Sequence, residues 1–388
     1  VADRLYLVAG KVTDSVTHGF LPAAARLGLD VTVLTDRPAD HLRAYAATEV
    51  PATPHHVVGC EVTDFRAIID RIRRAPAAVF SNSDHLQAPT ALAAAYFGLP
   101  GKDWRAATRT KNKALMRDHL AEFDPVFTAP ADDVPDDAPY PLVLKPREGV
   151  ASEDVVLVAD RDDLAARRRE ITRPEPLIVE EYLPGDLHTL ETLGDGHTTR
   201  VLGSFRTTLS PPPYFAEQRL EWAPPPDGTD RVLALLAELG VGFGACHTEF
   251  VVSAGRARLI EVNYRIIGDH CDFLLADLLG VPVFEHVLRV HLGEQLHDHG
   301  RETGRHALVD YVLADRSGTL GAVPGAVEHA EDGVRLSYRP LRRPGEVVTL
   351  THTNRDYLGT IRAIGPDRER VEACVARFRS AHAWELHG

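Results

Sequence analysis

Within the first 105 residues short apolar runs alternate with helical stretches, and this alternation restricts the possible folds more than any other feature. RLYLVAG reads as a strand, THGFLPAAARLGL as an amphipathic helix ending near Gly28, and DVTVLTD as the next strand. FRAIIDRIRRA then reads as a helix, AAVFSNSD as a strand with a polar end, and APTALAAAYFGLP as a further helix. Strands separated by helices pair in parallel, because a parallel return needs a crossover longer than a hairpin turn. Ligands of such sheets lie beyond the carboxyl ends of the strands. Asp14, Ser15, Asp36 and the Asn82-Ser83-Asp84 cluster fall at such ends. Asp14 and Asp36 fit the ordinary role of a helix N-cap, whereas Asp84 suits a cap or a ligand equally.

Beyond residue 105 the pattern changes. TRTKNKALMRDHLAEF reads as one helix, and the Pro/Asp stretch PADDVPDDAPYP as a linker. Residues 141–185 read strand, loop, helix, strand, and 188–206 read as two antiparallel strands around GDGH. SPPPYFAEQRLEWAPPP is expected to form an ordered proline-rich loop over a site, with Tyr214 and Glu217 covering the amine substrate. A helix, DRVLALLAELG, precedes a second strand pair around Gly255. LVDYVLAD, VRLSYRP, EVVTLTH and YLGTIRAIG carry β patterns before a closing helix.

Composition excludes several classes. A formal net charge of -13 argues against a general nucleic-acid binder, which needs a basic face. At 388 residues the chain suits two or three lobes. Four separated cysteines without a CxxC pair predict reduced thiols and a cytoplasmic setting. The start lacks the layout of a signal peptide, and no apolar run is long enough to span a bilayer. His297, His299 and His306 form the densest histidine group and read as a solvated surface loop rather than a metal site.

HTEFVV and ARLIEVN flank SAGRA. A hairpin centred on Gly255 sets Glu249 opposite Glu261 and His247 opposite Asn263, all on one face. Opposed like charges destabilise a strand pair unless a counter-charge sits between them. Two carboxylates and an amide oxygen are hard ligands that suit magnesium together with substrate phosphates. Lys145 ends the apolar strand PLVL, and the loop after it, with Gly149 and Ser152, has a backbone able to approach phosphate. It is not a Walker A loop. Lys113 is a second phosphate contact, whereas Lys111 reads as a solvated charge.

KNKALMRDHL, PLVLKPREGVASEDV, LIVEEYLPGDLHTLE and HTEFVVSAGRARLIEVNYRIIGDH together resemble the ATP-grasp superfamily, most closely its amino-acid ligase branch. The resemblance implies an α/β fold with an N-terminal parallel α/β domain, residues 1–105. A lid subdomain with its connecting helix would follow at 106–185, then an antiparallel catalytic subdomain at 186–300 and a β-rich small lobe at 301–388. It further implies that Lys113 and Lys145 bind ATP phosphates beneath a lid loop, 146–153. Glu180 to Leu183 would form the adenine hinge, through main-chain groups of Glu181 and Leu183. His188 lies beside Leu187, where relatives carry an acidic ribose contact. Glu249, Glu261 and Asn263 would hold Mg²⁺, or Mn²⁺ in its place.

Arg265 would face the transferred phosphate or acyl phosphate, Arg206 would clamp a carboxylate, and His270 would take the amine's proton. The implied activity joins a carboxylate to an amine, both expected on amino acids, through an acyl phosphate. No nucleic acid or membrane partner is implied, and a homodimer is. A carboxylase-like or kinase-like acceptor, or a nucleotide-binding module without catalysis, are the alternatives.

Overall fold

A computed structural model describes residues 3–46, 50–253, 255–296 and 304–388. The alternating N-terminal segments give strands β1 (Arg4–Val8), β2 (Asp30–Thr35), β3 (His56–Gly59) and β4 (Ala78–Phe80). All pair in parallel, in the order β3-β2-β1-β4. β1 is apolar on both faces because both are covered. Leu5 and Leu7 pack with Phe20 and Leu274, while Tyr6 and Val8 pack with Ile68 and Ala93.

A second sheet contains β5 (Thr128–Pro130), β6 (Leu142–Pro146), β7 (Val156–Val158) and β8 (Leu177–Glu181), antiparallel in the order β5-β8-β6-β7. Helix Arg161–Glu170 covers it through Leu164. The expected single helix before this sheet is two, Trp104–Lys111 and Lys113–His119. Asn112 breaks it. Its backbone is extended, and its Oδ1 accepts from Leu115 N at 3.2 Å, so Asn112 ends one helix and caps the next. Lys111 and Lys113 consequently leave the break in different directions.

The third sheet has nine strands. They are β9 (Asp186–Asp195), β10 (Thr199–Leu209), β11 (Glu217–Ala223), β12 (Phe243–Ser253), β13 (Arg256–Asn263), β14 (His306–Leu313), β16 (Val327–Glu331), β17 (Val334–Pro340) and β19 (Tyr357–Gly365). Their order is β13-β12-β9-β10-β11-β14-β19-β17-β16. Stretches 186–300 and 301–388 therefore share one sheet, joined where β11 pairs with β14. A small sheet of β15 (Gly318–Leu320), β18 (Val347–Val348) and β20 (Leu386–His387) lies beside it.

The proline-rich segment is a loop only in its first half. Residues 217–223 are β11, with Leu220 and Trp222 buried in alternation. Trp222 lies over Gly203, where a Cβ would meet its ring at 1.9 Å, so only glycine fits there. His306 lies in β14 and not in a loop, whereas His297 and His299 fall outside the described residues. All four cysteines are free and buried. Among the described residues no helix is long and apolar enough to cross a membrane.

Candidate active site

A cavity of about 760 Å³ lies where the three larger sheets converge. That is within the usual span for small-molecule sites, roughly 300–1,000 Å³. One face of the nine-stranded sheet forms its floor. There the hairpin holds the expected pairs, Glu249 with Glu261 and His247 with Asn263. Closer to the turn the register shifts by one, so that Phe250 meets Leu259 and Ser253 meets Arg256. The bulge beside Ile260 keeps both carboxylates on the cavity face while Phe250 and Leu259 bury on the other.

The floor is charged in a specific way. His247 Nδ1 lies 2.8 Å from Glu191 Oε1, and Nε2 lies 3.5 Å from Glu249 Oε1. Burial opposes the imidazolium, but Glu191 and Glu249 outweigh it and push His247 up to about 10. His247 is thus a cation behind Glu249. Its anchor Glu191, 1% exposed, is a residue that sequence reasoning missed. Its signal was strand parity, since Glu191 pairs with His247 across β9 and β12.

Cations form the opposite wall. Lys113 and Arg117 lie four residues apart on one face of their helix. Lys113 Nζ donates to Glu261 Oε1 at 2.8 Å. Burial works against its charge, yet Glu261 holds it above the ordinary lysine range. Arg117, also missed, forks onto Glu180 through Nε and Nη2 at 3.1 and 2.9 Å. Lys145 Nζ reaches the same carboxylate at 2.7 Å, and burial pulls its ammonium down. Burial raises Glu180, but Arg117 and Lys145 prevail and hold it at about 2. Glu180 is therefore the counter-ion of this cationic wall, while Glu181, Tyr182 and Leu183 continue along the cavity.

Lys111 is not solvated. It is mostly buried, pairs with Asp84 and donates to Gly149 O at 3.1 Å, tying β4's end to the lid loop. Asp84 is accordingly an ion-pair partner and not a cap. Asp14 makes no capping bond either. It binds His270 Nε2 at 3.2 Å and Arg339 Nε at 2.9 Å. Asp36 lines the cavity, and Arg37 takes the N-cap position of the next helix.

The lid loop brings Gly149 and Ser152 to the cavity. Ala151, Ser152 and Asp154 have φ of 59°, 55° and 56°, a left-handed run that costs non-glycine residues free energy. The loop is held from outside. Asn354 N donates to Ala151 O at 3.1 Å, and Glu153 pairs with Arg355 and, at 2.9 Å, with Arg173.

Arg265, Asp269 and His270 line the far end. Arg265 Nη1 is fixed on the Ile266 carbonyl at 2.9 Å. His270 has its Nε2 committed to Asp14. Two expected residues do not reach the cavity. Arg206 is exposed, 3.7 Å from Asp186, because Phe205 and Thr207 occupy the inner face of β10. His188 pairs opposite Arg206 and shares its outward face, leaving Leu187 to line the cavity. Tyr214 stacks on His352 at 4.3 Å outside the cavity, whereas Glu217 lines it.

The donor set fits a magnesium ion. Glu249 and Glu261 stand directly opposed, and burial with the charges of Glu249 and Asp269 pushes Glu217 up to about 8. A divalent cation would relieve this crowding. Among the described residues no group of three or more His, Cys, Asp or Glu side chains could hold a metal. Asn263 and substrate oxygens would therefore complete a hard-ligand shell.

Residues 110–211 match the family model of the ATP-grasp domain. The match includes three of the four motifs from which the resemblance was expected, and the fold is shared over the chain's whole length with a solved ligase. The L-amino acid ligase from Bacillus licheniformis superposes with a TM-score of 0.81, covering 100% of this chain and 99% of the other at 21% identity. Among curated sequences, the uncharacterized protein y4rH of Sinorhizobium fredii is 27% identical, over 99% of this chain and 84% of its own. Dapdiamide A synthase of Enterobacter agglomerans is 22% identical, over 71% of this chain and 72% of its own.

Proposed function

We propose that the chain is an ATP- and magnesium-dependent ligase that condenses the carboxylate of one amino acid with the amine of another through an acyl phosphate. One observation carries this reading. A single cavity sets Lys113 and Lys145 against the opposed Glu249 and Glu261, and it continues past Arg265 into room for a second reactant. The likeness to an L-amino acid ligase and to dapdiamide A synthase supports an amide as the product.

The donor carboxylate attacks the γ-phosphorus of ATP and ADP leaves. Lys113 and Lys145 meet the phosphate oxygens, with Glu180 setting the charge of their wall. Glu249, Glu261 and Asn263 would hold magnesium, or manganese in its place, which when bound supplies positive charge to the phosphates. The lid loop keeps water from the acyl phosphate. The amine then attacks the carbonyl carbon, Arg265 stabilises the oxyanion, phosphate leaves, and the Asp14-bound His270 lies at the end where the amine's proton departs.

ADP release measured with single amino acids and with pairs tests the proposal. ADP and phosphate that appear only with pairs, alongside a product mass equal to both substrates less water, are the expected result. A product of one substrate plus a phosphoryl group would replace the ligase with a kinase.

A further inference from the structure

The end of the cavity beyond Arg265 carries groups that the phosphoryl chemistry does not use. Glu217 opens β11 and is tied to Asn354 at two points, one on its carboxylate and one on its backbone. Asn354 Nδ2 donates to Glu217 Oε2 at 3.1 Å, and Glu217 N donates to Asn354 Oδ1 at 2.9 Å. Asp269 lines the same cavity in a left-handed turn, φ 52°, fixed by the Tyr311 hydroxyl on its carbonyl at 3.1 Å. Thr360, 1% exposed, also lines the cavity, and its buried Oγ1 has no hydrogen-bond partner. A buried hydroxyl left without a partner costs free energy unless a ligand supplies one.

Arg265 and His270, which line the same end, are held on other partners, Arg265 through Nη1 on the Ile266 carbonyl and His270 through Nε2 on Asp14. This end therefore offers acceptors, while Arg265 and His270 beside them are already tied to other groups. An ammonium group brings three N–H donors and one positive charge.

We infer that this end seats a substrate ammonium group, with Glu217, held by Asn354, as its receptor and Asp269 and Thr360 beside it. The donor substrate is then an amino acid that carries a free ammonium near its reacting carboxylate. The inference rests on the ligase reading and adds a direction to it. Carboxylates around an ammonium favour its protonated form, which has no lone pair for attack. The donor's own nitrogen is thereby kept out of the reaction, and the amide must form on the nitrogen of the other substrate.

The test compares L-alanine with propionate and L-leucine with 4-methylpentanoate as carboxyl donors, in wild type and in Glu217→Gln. Glutamine keeps the shape of the side chain and an oxygen for Asn354. Wild type is expected to favour the amino form by roughly tenfold to a hundredfold in kcat/KM, the weight of a charge-assisted hydrogen bond. Glu217→Gln is expected to erase that preference through a loss of kcat/KM for the amino form. An undiminished preference in a folded Glu217→Gln overturns the inference. If that variant melts early, Thr360→Val replaces it, with a severalfold loss of preference expected and an unchanged preference counting against.

Calorimetric binding of the same acids, with magnesium and a non-hydrolysable ATP analogue, reads the preference without turnover. Preferential binding of the amino form without ADP release from any pair would strike the ligase reading alone. Amide formation without preference for the amino form would strike the ammonium seat alone.

Discussion

Two glutamates decide most at the scale of single residues. Glu261 faces Glu249 and holds Lys113, so it joins the carboxylate floor to the cationic wall. Glu261→Gln is expected to lower kcat by at least a hundredfold in a protein that still folds, with a lower melting temperature because the buried Lys113 loses its anion, as read by ADP release and thermal unfolding. Turnover within tenfold of wild type would remove Glu261 from the metal shell.

Glu180 is the second. Its carboxylate is 4% exposed and pairs with both Arg117 and Lys145. Glu180→Gln leaves two buried cations short of an anion and should cost about 3–5 kcal/mol in denaturant unfolding. The pH dependence follows from the sign of the shift. A carboxylate held down at about 2 in the fold, against an ordinary value of 4.5, stabilises fully above 4.5 and loses that contribution as pH falls towards 2. Wild type should lose stability relative to Glu180→Gln across that window, and parallel acid-unfolding curves would contradict the pairing.

Legibility also divides at this scale. The carboxylate floor could be read because its residues lie in one hairpin, where a period of two fixes the face. The ion pairs of Glu180 were not legible, because its partners Arg117 and Lys145 stand 63 and 35 residues away. Arg206 and His188 fail by strand parity. Each is one residue from an inward position, and their motif does not reveal which face of β9 and β10 is inner.

Among the elements, the lid loop and the segment that grips it are the most consequential. Its left-handed residues are held by Asn354, and Glu153 bridges to Arg173 and Arg355. Arg355 is 45% exposed at its side chain, so its ion pair adds little stability, typically under 1 kcal/mol. Arg355→Ala should leave the melting temperature nearly unchanged. It should loosen lid closure, so that ADP released per amide formed rises severalfold as acyl phosphate meets water. A ratio unchanged from wild type would show that the Arg355 contact does not govern closure. The break at Asn112 belongs to the same scale. The helical run was legible, but the cap that divides it was not, because asparagine inside a helical pattern signals a break only when its side chain turns back onto the following turn.

For the whole molecule, the alternation at the start dictated the parallel sheet, and the paired strands after residue 185 dictated the antiparallel one. The union of 186–300 with 301–388 in a single nine-stranded sheet was not legible, since the pairing of β11 with β14 joins residues about ninety positions apart without a local signal. That union places Asn354 and Thr360 at the cavity beside Glu217. It makes the site a composite of the N-terminal sheet, the lid sheet and the large sheet.

The central claim is that this composite site activates a carboxylate as an acyl phosphate, and isotope transfer tests it most directly. With both oxygens of the donor carboxylate labelled as ¹⁸O, the inorganic phosphate released with the amide is analysed by mass. The account predicts one ¹⁸O in each phosphate, because the attacking carboxylate oxygen leaves with phosphorus when the amine displaces it. Amide formation with unlabelled phosphate would contradict it.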